Sequence, residues 1–201
     1  MKKLSLQQGF SLVEVLVAIT LLLLIVTGPM KIITDANHST SFASEQITAF
    51  YLAQEGLELA QKGRDDLMLK YFQNKINGTG GITNPWTQFK TNFNKCIANT
   101  CGLVISDTPA ATVLIKDCSN QTSCRMYLDS TPVRPTYVYA VAGNDQTPFT
   151  RTIQMTPVMT TDGSKVKEMK VISTVTWRTG SLIAGQKVEL VTYLENVYDT
   201  N

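Results

Sequence analysis

Histidine is almost absent from this 201-residue chain, in which His38 is the single example. The sequence also lacks G-x-S-x-G, H-E-x-x-H and any paired Cys/His arrangement, so the usual residue sets for acyl transfer and zinc-dependent hydrolysis are missing. His38 lies in a polar stretch with no partner motif, which favours a solvated or capping role over catalysis or metal binding. We therefore expect a protein that is not an enzyme and that has no catalytic residues, no metal site and no cofactor.

Excess charge of either sign is also lacking. The chain has 18 Lys and Arg against 16 Asp and Glu, and Lys2 and Lys3 account for its formal net charge of +2. Binding to nucleic acid depends on clustered Lys and Arg side chains against phosphates. We therefore expect no nucleic-acid partner.

Charged residues are nearly missing from a long apolar stretch close to the N-terminus. From Phe10 to Met30 the only ionisable residue is Glu14, and residues 21–26 are all Leu, Ile or Val. A helix needs about 20 apolar residues to cross the hydrocarbon core of a membrane. We predict a leader peptide at residues 1–9 and a transmembrane helix at residues 10–33, with the basic N-terminus in the cytoplasm and the rest of the chain outside.

The leader ends abruptly at Gly9, directly before the apolar run. A conventional signal peptide is cut after its apolar region, where Val26-Thr27-Gly28-Pro29 is a poor site. Placing a charged carboxylate such as that of Glu14 in the membrane costs about 2.5–3.5 kcal/mol near a helix centre and less near a helix end. Glu14 either reaches water at the cytoplasmic interface or meets a partner. Cleavage between Gly9 and Phe10 would supply that partner as a new α-amine.

The run GFSLVEVLVAI at residues 9–19 resembles the processing site of type IV prepilins and type II secretion pseudopilins. The resemblance is confined to the N-terminal segment. It implies that a prepilin peptidase cleaves after Gly9 and N-methylates Phe10, and that Glu14 sets the register between subunits. The implied partners are that peptidase, other pilin subunits, the filament assembly platform and, before assembly, membrane lipid.

Residues 34–63 predict the amphipathic half of a stalk helix. Gly28-Pro29 predicts a kink where this helix leaves the membrane, and Gly63 is the predicted helix end. Apolar residues recur at spacings of three, four or seven and define one face. Its members are Ile47, Phe50, Tyr51, Leu57 and Ala60, broadened by Leu52 and Leu59.

All four cysteines lie beyond the apolar segment, at positions 96, 101, 118 and 124. An even number in the exported part indicates disulfides. Of the three possible pairings we favour the two local ones, Cys96–Cys101 and Cys118–Cys124, over Cys96–Cys124 with Cys101–Cys118 or crossed pairs. A zinc site is the alternative, but the spacings are wide for zinc ligands and no histidine is near.

Residues 64–201 are predicted to form the extracytoplasmic head. Alternating β-branched and aromatic residues predict four strands, at Val138–Val141, Phe149–Met155, Val166–Trp177 and Val188–Tyr198. Turn residues separate them, which favours an antiparallel meander. The expected fold is α+β, in which the C-terminal half of the long hydrophobic helix packs on an antiparallel sheet.

These features favour a structural subunit, a minor one, of a type IV pilus or related filament. One alternative is a pseudopilin of a type II secretion or DNA-uptake apparatus. Another is a permanently membrane-anchored extracytoplasmic binding protein. In the favoured case the chain begins as a single-pass protein of the cytoplasmic membrane and ends in a filament at the cell surface.

Overall fold

A computed structural model describes residues 9–106, 111–118, 121–131, 135–139, 143–161, 163, 165–178 and 185–197. Two compact units, Met1–Ser44 and Glu45–Asn201, divide the chain. The basic leader residues Lys2 and Lys3 lie outside the described residues. So do the ends of two predicted strands, at Val141 and Tyr198.

One helix, α1, runs from Leu12 to Asn77 and continues through Pro29. The predicted helix end at Gly63 is wrong. Gly63 packs beneath the ring of Phe93, and a Cβ at this position would overlap that ring. The helix ends instead at Asn77, and Gly78 follows with a φ of 64°, a left-handed conformation favourable to glycine. The backbone N–H of Thr79 then donates to the carbonyl oxygen of Asn74 at 3.1 Å and closes the last turn.

The remaining elements all belong to the second unit. In chain order they are α2 (Pro85–Asn92), α3 (Asn94–Ala98), β1 (Cys101–Ile105), β2 (Val113–Asp117), a short 3-10 turn (Gln121–Cys124), β3 (Arg125–Asp129), β4 (Thr136–Tyr139), β5 (Asp145–Met159), β6 (Val166–Trp177) and β7 (Gln186–Glu195). The α+β class is confirmed, and β6 has the predicted bounds.

The seven strands form one antiparallel sheet around the long strand β5. One edge of β5 pairs with β6, which pairs with β7. The other edge is shared by β1 and β3, through Cys101 opposite Ile153 and Arg125 opposite Thr150. The predicted four-strand meander is therefore right for β5 to β7 and wrong for β4, which pairs with β3. The reason is that β1, β2 and β3 come from the cysteine-containing region, where no strands were predicted.

In the second unit, α1 packs on the sheet through small residues. The buried positions of α1 are Ala49, Leu52, Ala53, Gly56, Leu59, Ala60, Gly63 and Leu67. Leu52, Leu59 and Ala60 of the predicted face are buried as expected. Its members Ile47, Phe50 and Tyr51 were wrongly assigned, because these side chains are 58%, 46% and 64% exposed. Bulky residues would hold the helix away from the strands. A Cβ at Gly56 would already lie 2.5 Å from Ser173 Oγ.

Both disulfides follow the local pairing that was favoured. Cys96–Cys101 joins α3 to β1, and Cys118–Cys124 joins the end of β2 to the turn before β3. The nested pairing is wrong, and no thiolate remains for zinc because all four cysteines are bonded. Each bridge lies buried in one of the two apolar clusters of the head.

A buried arginine lies between these two clusters on the inner face of β5. Phe149 belongs to one cluster and Ile153 to the other, and Arg151 is the inward residue between them. The side chain of Arg151 is fully buried. Such a charge is tolerated only when its donors are satisfied.

The guanidinium of Arg151 makes hydrogen bonds to α1, β1 and β4. Nη1 donates to Leu52 O at 3.1 Å and to Glu55 Oε2 at 2.7 Å, and Nη2 donates to Leu103 O at 2.8 Å. Nε donates to the hydroxyl of Tyr139 at 3.2 Å. Burial alone lowers the pKa of Arg151, but the interactions with Tyr139 and Glu55 outweigh burial and raise this pKa above its ordinary value. We call Arg151, Glu55 and Tyr139 the Arg151 network.

Replacing Arg151 with methionine should lower the free energy of unfolding by about 2–4 kcal/mol, because the charge-assisted bonds to the helix and to β1 are lost. Glu55→Gln is the matched variant. The Glu55 side chain is 45% exposed, so its loss of charge should cost less than about 1 kcal/mol. Chemical denaturation of the full chain in neutral detergent measures both values. Equal effects of the two variants would contradict the central role of the buried guanidinium.

Alanine in place of a glycine inside a helix normally stabilises it by about 0.5–1 kcal/mol. Gly63→Ala should do the reverse and lower the thermal midpoint, because the new methyl group meets the buried ring of Phe93. Gln61→Ala, on the exposed side of the same helix, is the control and should leave the midpoint unchanged or slightly higher. A midpoint for Gly63→Ala that matches or exceeds the wild type would rule out this packing role.

Candidate processing and assembly segment

The Gly9–Phe10 junction lies just before α1. Gly9, Phe10 and Ser11 are not helical, and the helix begins at Leu12. The Ser11 carbonyl oxygen accepts the N–H of Val15 at 3.1 Å, which makes Ser11 the residue that opens the helix. The peptide bond between Gly9 and Phe10 is therefore outside the helical hydrogen-bond ladder. It is also accessible, since Gly9 has open space around it and Phe10 is 83% exposed.

Glu14 lies in the first turn of α1. A carboxylate there interacts favourably with the unpaired N–H groups at the helix start. Glu14 and Phe10 also line the same groove, of about 430 Å³. The rest of the groove is apolar and consists of Val15, Ala18, Ile19 and Leu22. Phe10 and Glu14 therefore border one groove at the helix start.

The helix after Glu14 is long and apolar enough to span a membrane. Its most apolar 18-residue window has a mean hydropathy of 2.4, and none of that window is buried. Hydroxyl groups in this part bond within the helix, Thr20 to the Val17 carbonyl at 2.8 Å and Thr27 to the Leu24 carbonyl at 3.5 Å. Such bonds reduce the cost of placing hydroxyls in lipid.

The structure brings some of the predicted site residues together and separates others. Phe10 and Glu14 share a groove, and the four cysteines form two bridges in the head. His38 is exposed on α1. Among the described residues no group of three or more His, Cys, Asp or Glu side chains is placed to hold a metal ion.

Sequence reasoning missed the Arg151 network. The signal was present in β5, because Phe149, Arg151, Ile153 and Met155 occupy alternate positions and therefore share one face. An arginine in an otherwise apolar inward row indicates a buried charge that needs partners. Those partners could not be read from the sequence, because Leu52, Leu103 and Tyr139 come from three distant segments.

Comparison with protein families gives a match to the prokaryotic N-terminal methylation motif at residues 4–28. No curated protein and no solved structure matches the chain. The matched range includes Gly9, Phe10, Glu14 and much of the apolar run. The chain therefore carries the N-terminal signature of type IV pilins and pseudopilins.

Proposed function

We propose that this chain is a structural, non-enzymatic subunit, of the minor kind, in a type IV pilus or a related filament. A prepilin peptidase removes residues 1–9 and N-methylates Phe10, and the apolar helix then assembles with those of other subunits. The observation that carries this proposal is the shared groove of Phe10 and Glu14 at the start of an exposed apolar helix.

Cleavage changes the electrostatics of that groove. Hydrolysis of the Gly9–Phe10 bond leaves a cationic α-amine on Phe10, and N-methylation preserves its basicity. Within an apolar bundle, an isolated Glu14 carboxylate would be costly, whereas a carboxylate paired with the amine of a neighbouring subunit recovers much of this cost. This pairing favours one axial register between neighbours, and that is the role we assign to Glu14.

The exposed part of α1 in the second unit supports contacts beyond the apolar segment. Ile47, Phe50 and Tyr51 form an exposed apolar surface that borders a groove of about 370 Å³ completed by Gln46 and Val188. Exposed apolar patches of this kind are typical of protein contact surfaces. We assign this surface to contacts with neighbouring subunits.

The proposed partners are the prepilin peptidase, other pilin subunits, the assembly platform and membrane lipid. Before assembly the chain is a single-pass protein of the cytoplasmic membrane with its N-terminus in the cytoplasm. After assembly it lies in an extracellular filament. A permanently anchored binding protein would instead retain its leader, so processing separates the two functions.

Coexpression with a prepilin peptidase should shorten the chain by residues 1–9 and leave a methylated amine on Phe10, as measured by intact mass and N-terminal peptide analysis. Gly9→Val should abolish this cleavage, because a β-branched side chain restricts the backbone at the scissile bond. Ser11→Ala, on the other side of that bond, serves as the matched control and should still be cleaved. Recovery of wild-type protein with Lys2 and Lys3 still attached would favour the permanently anchored alternative.

Glu14→Gln should still be cleaved but should be lost from sheared filaments, because the side chain keeps its size and loses the charge that pairs with the amine. Quantitative immunoblotting of sheared filaments and of membranes measures the two pools. Thr20→Ala removes a polar group from the same apolar segment and should enter filaments normally. Wild-type incorporation of Glu14→Gln would exclude the register role.

A further inference from the structure

A cavity lined by both polar and apolar groups opens on the outer face of the sheet in the second unit. Its volume is about 520 Å³, and it is lined by Arg125, Pro148, Thr150, Thr176, Trp177, Arg178 and Gly185. Thr150 and Thr176 alternate along their strands with buried inward residues and therefore point away from the core. Neither the processing segment nor the Arg151 network includes any of these residues.

The strand register places the polar side chains of this cavity in one row. Arg125 on β3 lies opposite Thr150 on β5, and Thr150 lies opposite Thr176 on β6. Arg178 follows Thr176 by two residues and is exposed. Directly opposite side chains on adjacent strands are close enough to act on one ligand. The cavity therefore combines the guanidinium of Arg125 and the two hydroxyls of this row with the guanidinium of Arg178.

The charge of the cavity lining is positive. Arg125 and Arg178 are its only ionisable members among the described residues, and no carboxylate lines it. The nearest cation in the same row, Lys187 opposite Thr176, is paired with Glu189 at 3.0 Å and so contributes little. The two arginines are thus the charged groups of the described lining itself.

One donor of the Arg125 guanidinium is buried and unsatisfied. Arg125 Nε is shielded from solvent and has no hydrogen-bond partner in the part of the chain that the structure describes. An unpaired buried donor leaves the charge of the Arg125 guanidinium incompletely compensated, and an anion that reaches its Nη1 or Nη2 donors would compensate it. Guanidinium groups match oxyanions with particular strength, because they present parallel N–H donors to paired oxygen atoms.

We propose that this cavity binds an oxyanion, a carboxylate, sulfate or phosphate group, carried on a small polar molecule. Arg125 and Arg178 hold the anionic oxygens, and the hydroxyls of Thr150 and Thr176 donate to or accept from the rest of the ligand. The cavity is larger than a lone oxyanion and within the usual size range of ligand sites, so it has room for a group such as the ring of an acidic sugar. This inference concerns the head alone and does not rest on filament assembly.

The test is calorimetric titration of the full-length protein in neutral detergent at constant ionic strength. Sulfate, phosphate and glucuronate are the probes, and glucose is the neutral match for glucuronate. Saturable binding is expected for the anions and none for glucose. Arg178→Gln and Arg125→Gln should each weaken binding about tenfold or more. Lys170→Gln is the charge control, because Lys170 lies on the outer face opposite Thr156 and Tyr193, away from the cavity.

The relative affinities for the three anions distinguish an acidic saccharide from a free oxyanion, and the variants test whether the cavity is the binding site. Tighter binding of glucuronate than of sulfate would identify an acidic saccharide, and equal binding would identify a free oxyanion. Absence of saturable binding to all three anions overturns the proposal, as does wild-type affinity in Arg178→Gln or an equal loss in Lys170→Gln. Circular dichroism checks folding of each variant. If Arg125→Gln is misfolded, the affinity of Arg178→Gln for the anions is the test, because Arg178 is exposed and its replacement should not disturb the fold.

Discussion

The packing of the head depends on the hydrogen bonds that the buried guanidinium of Arg151 makes to the helix and the sheet. This guanidinium lies where the two apolar clusters meet and binds the carbonyl oxygens of Leu52 on α1 and Leu103 on β1. A buried charge is stable only with its donors satisfied, so helix and strands must keep positions that satisfy them. Apolar contacts alone would tolerate sliding of the helix along the sheet, whereas these directional bonds do not.

The small residues of α1 make that arrangement possible. Gly56 and Gly63 bring the helix backbone against Ser173 and Phe93, at distances that a side chain would prevent. The bulkier residues Ile47, Phe50 and Tyr51 are consequently on the exposed side. One helix therefore has two surfaces in the second unit, a small-residue surface that serves the fold and an apolar surface that is open to partners.

Function is distributed differently between the two units. In the first unit the proposed site is local, because the proposed cleavage junction, the Glu14 carboxylate and the apolar run follow one another within a single segment. In the second unit the cavity on the outer face of the sheet is assembled from three strands, through the register that places Arg125, Thr150 and Thr176 in one row. The second site therefore requires β3, β5 and β6 to be paired in register.

The sequence by itself determined the features that depend on neighbouring residues. These features are the apolar run, the start of that run after Gly9, and the bounds of β6. Each could be predicted because hydropathy and the alternation of side chains are properties of a few consecutive residues. The two disulfides were also predictable locally, because each joins cysteines only five or six residues apart in the sequence. Only the tertiary structure decided that Gly63 continues the helix, that β4 pairs with β3, and that Arg151 joins the helix to the sheet. These outcomes depend on how closely distant segments approach one another, and a local pattern carries no record of that distance.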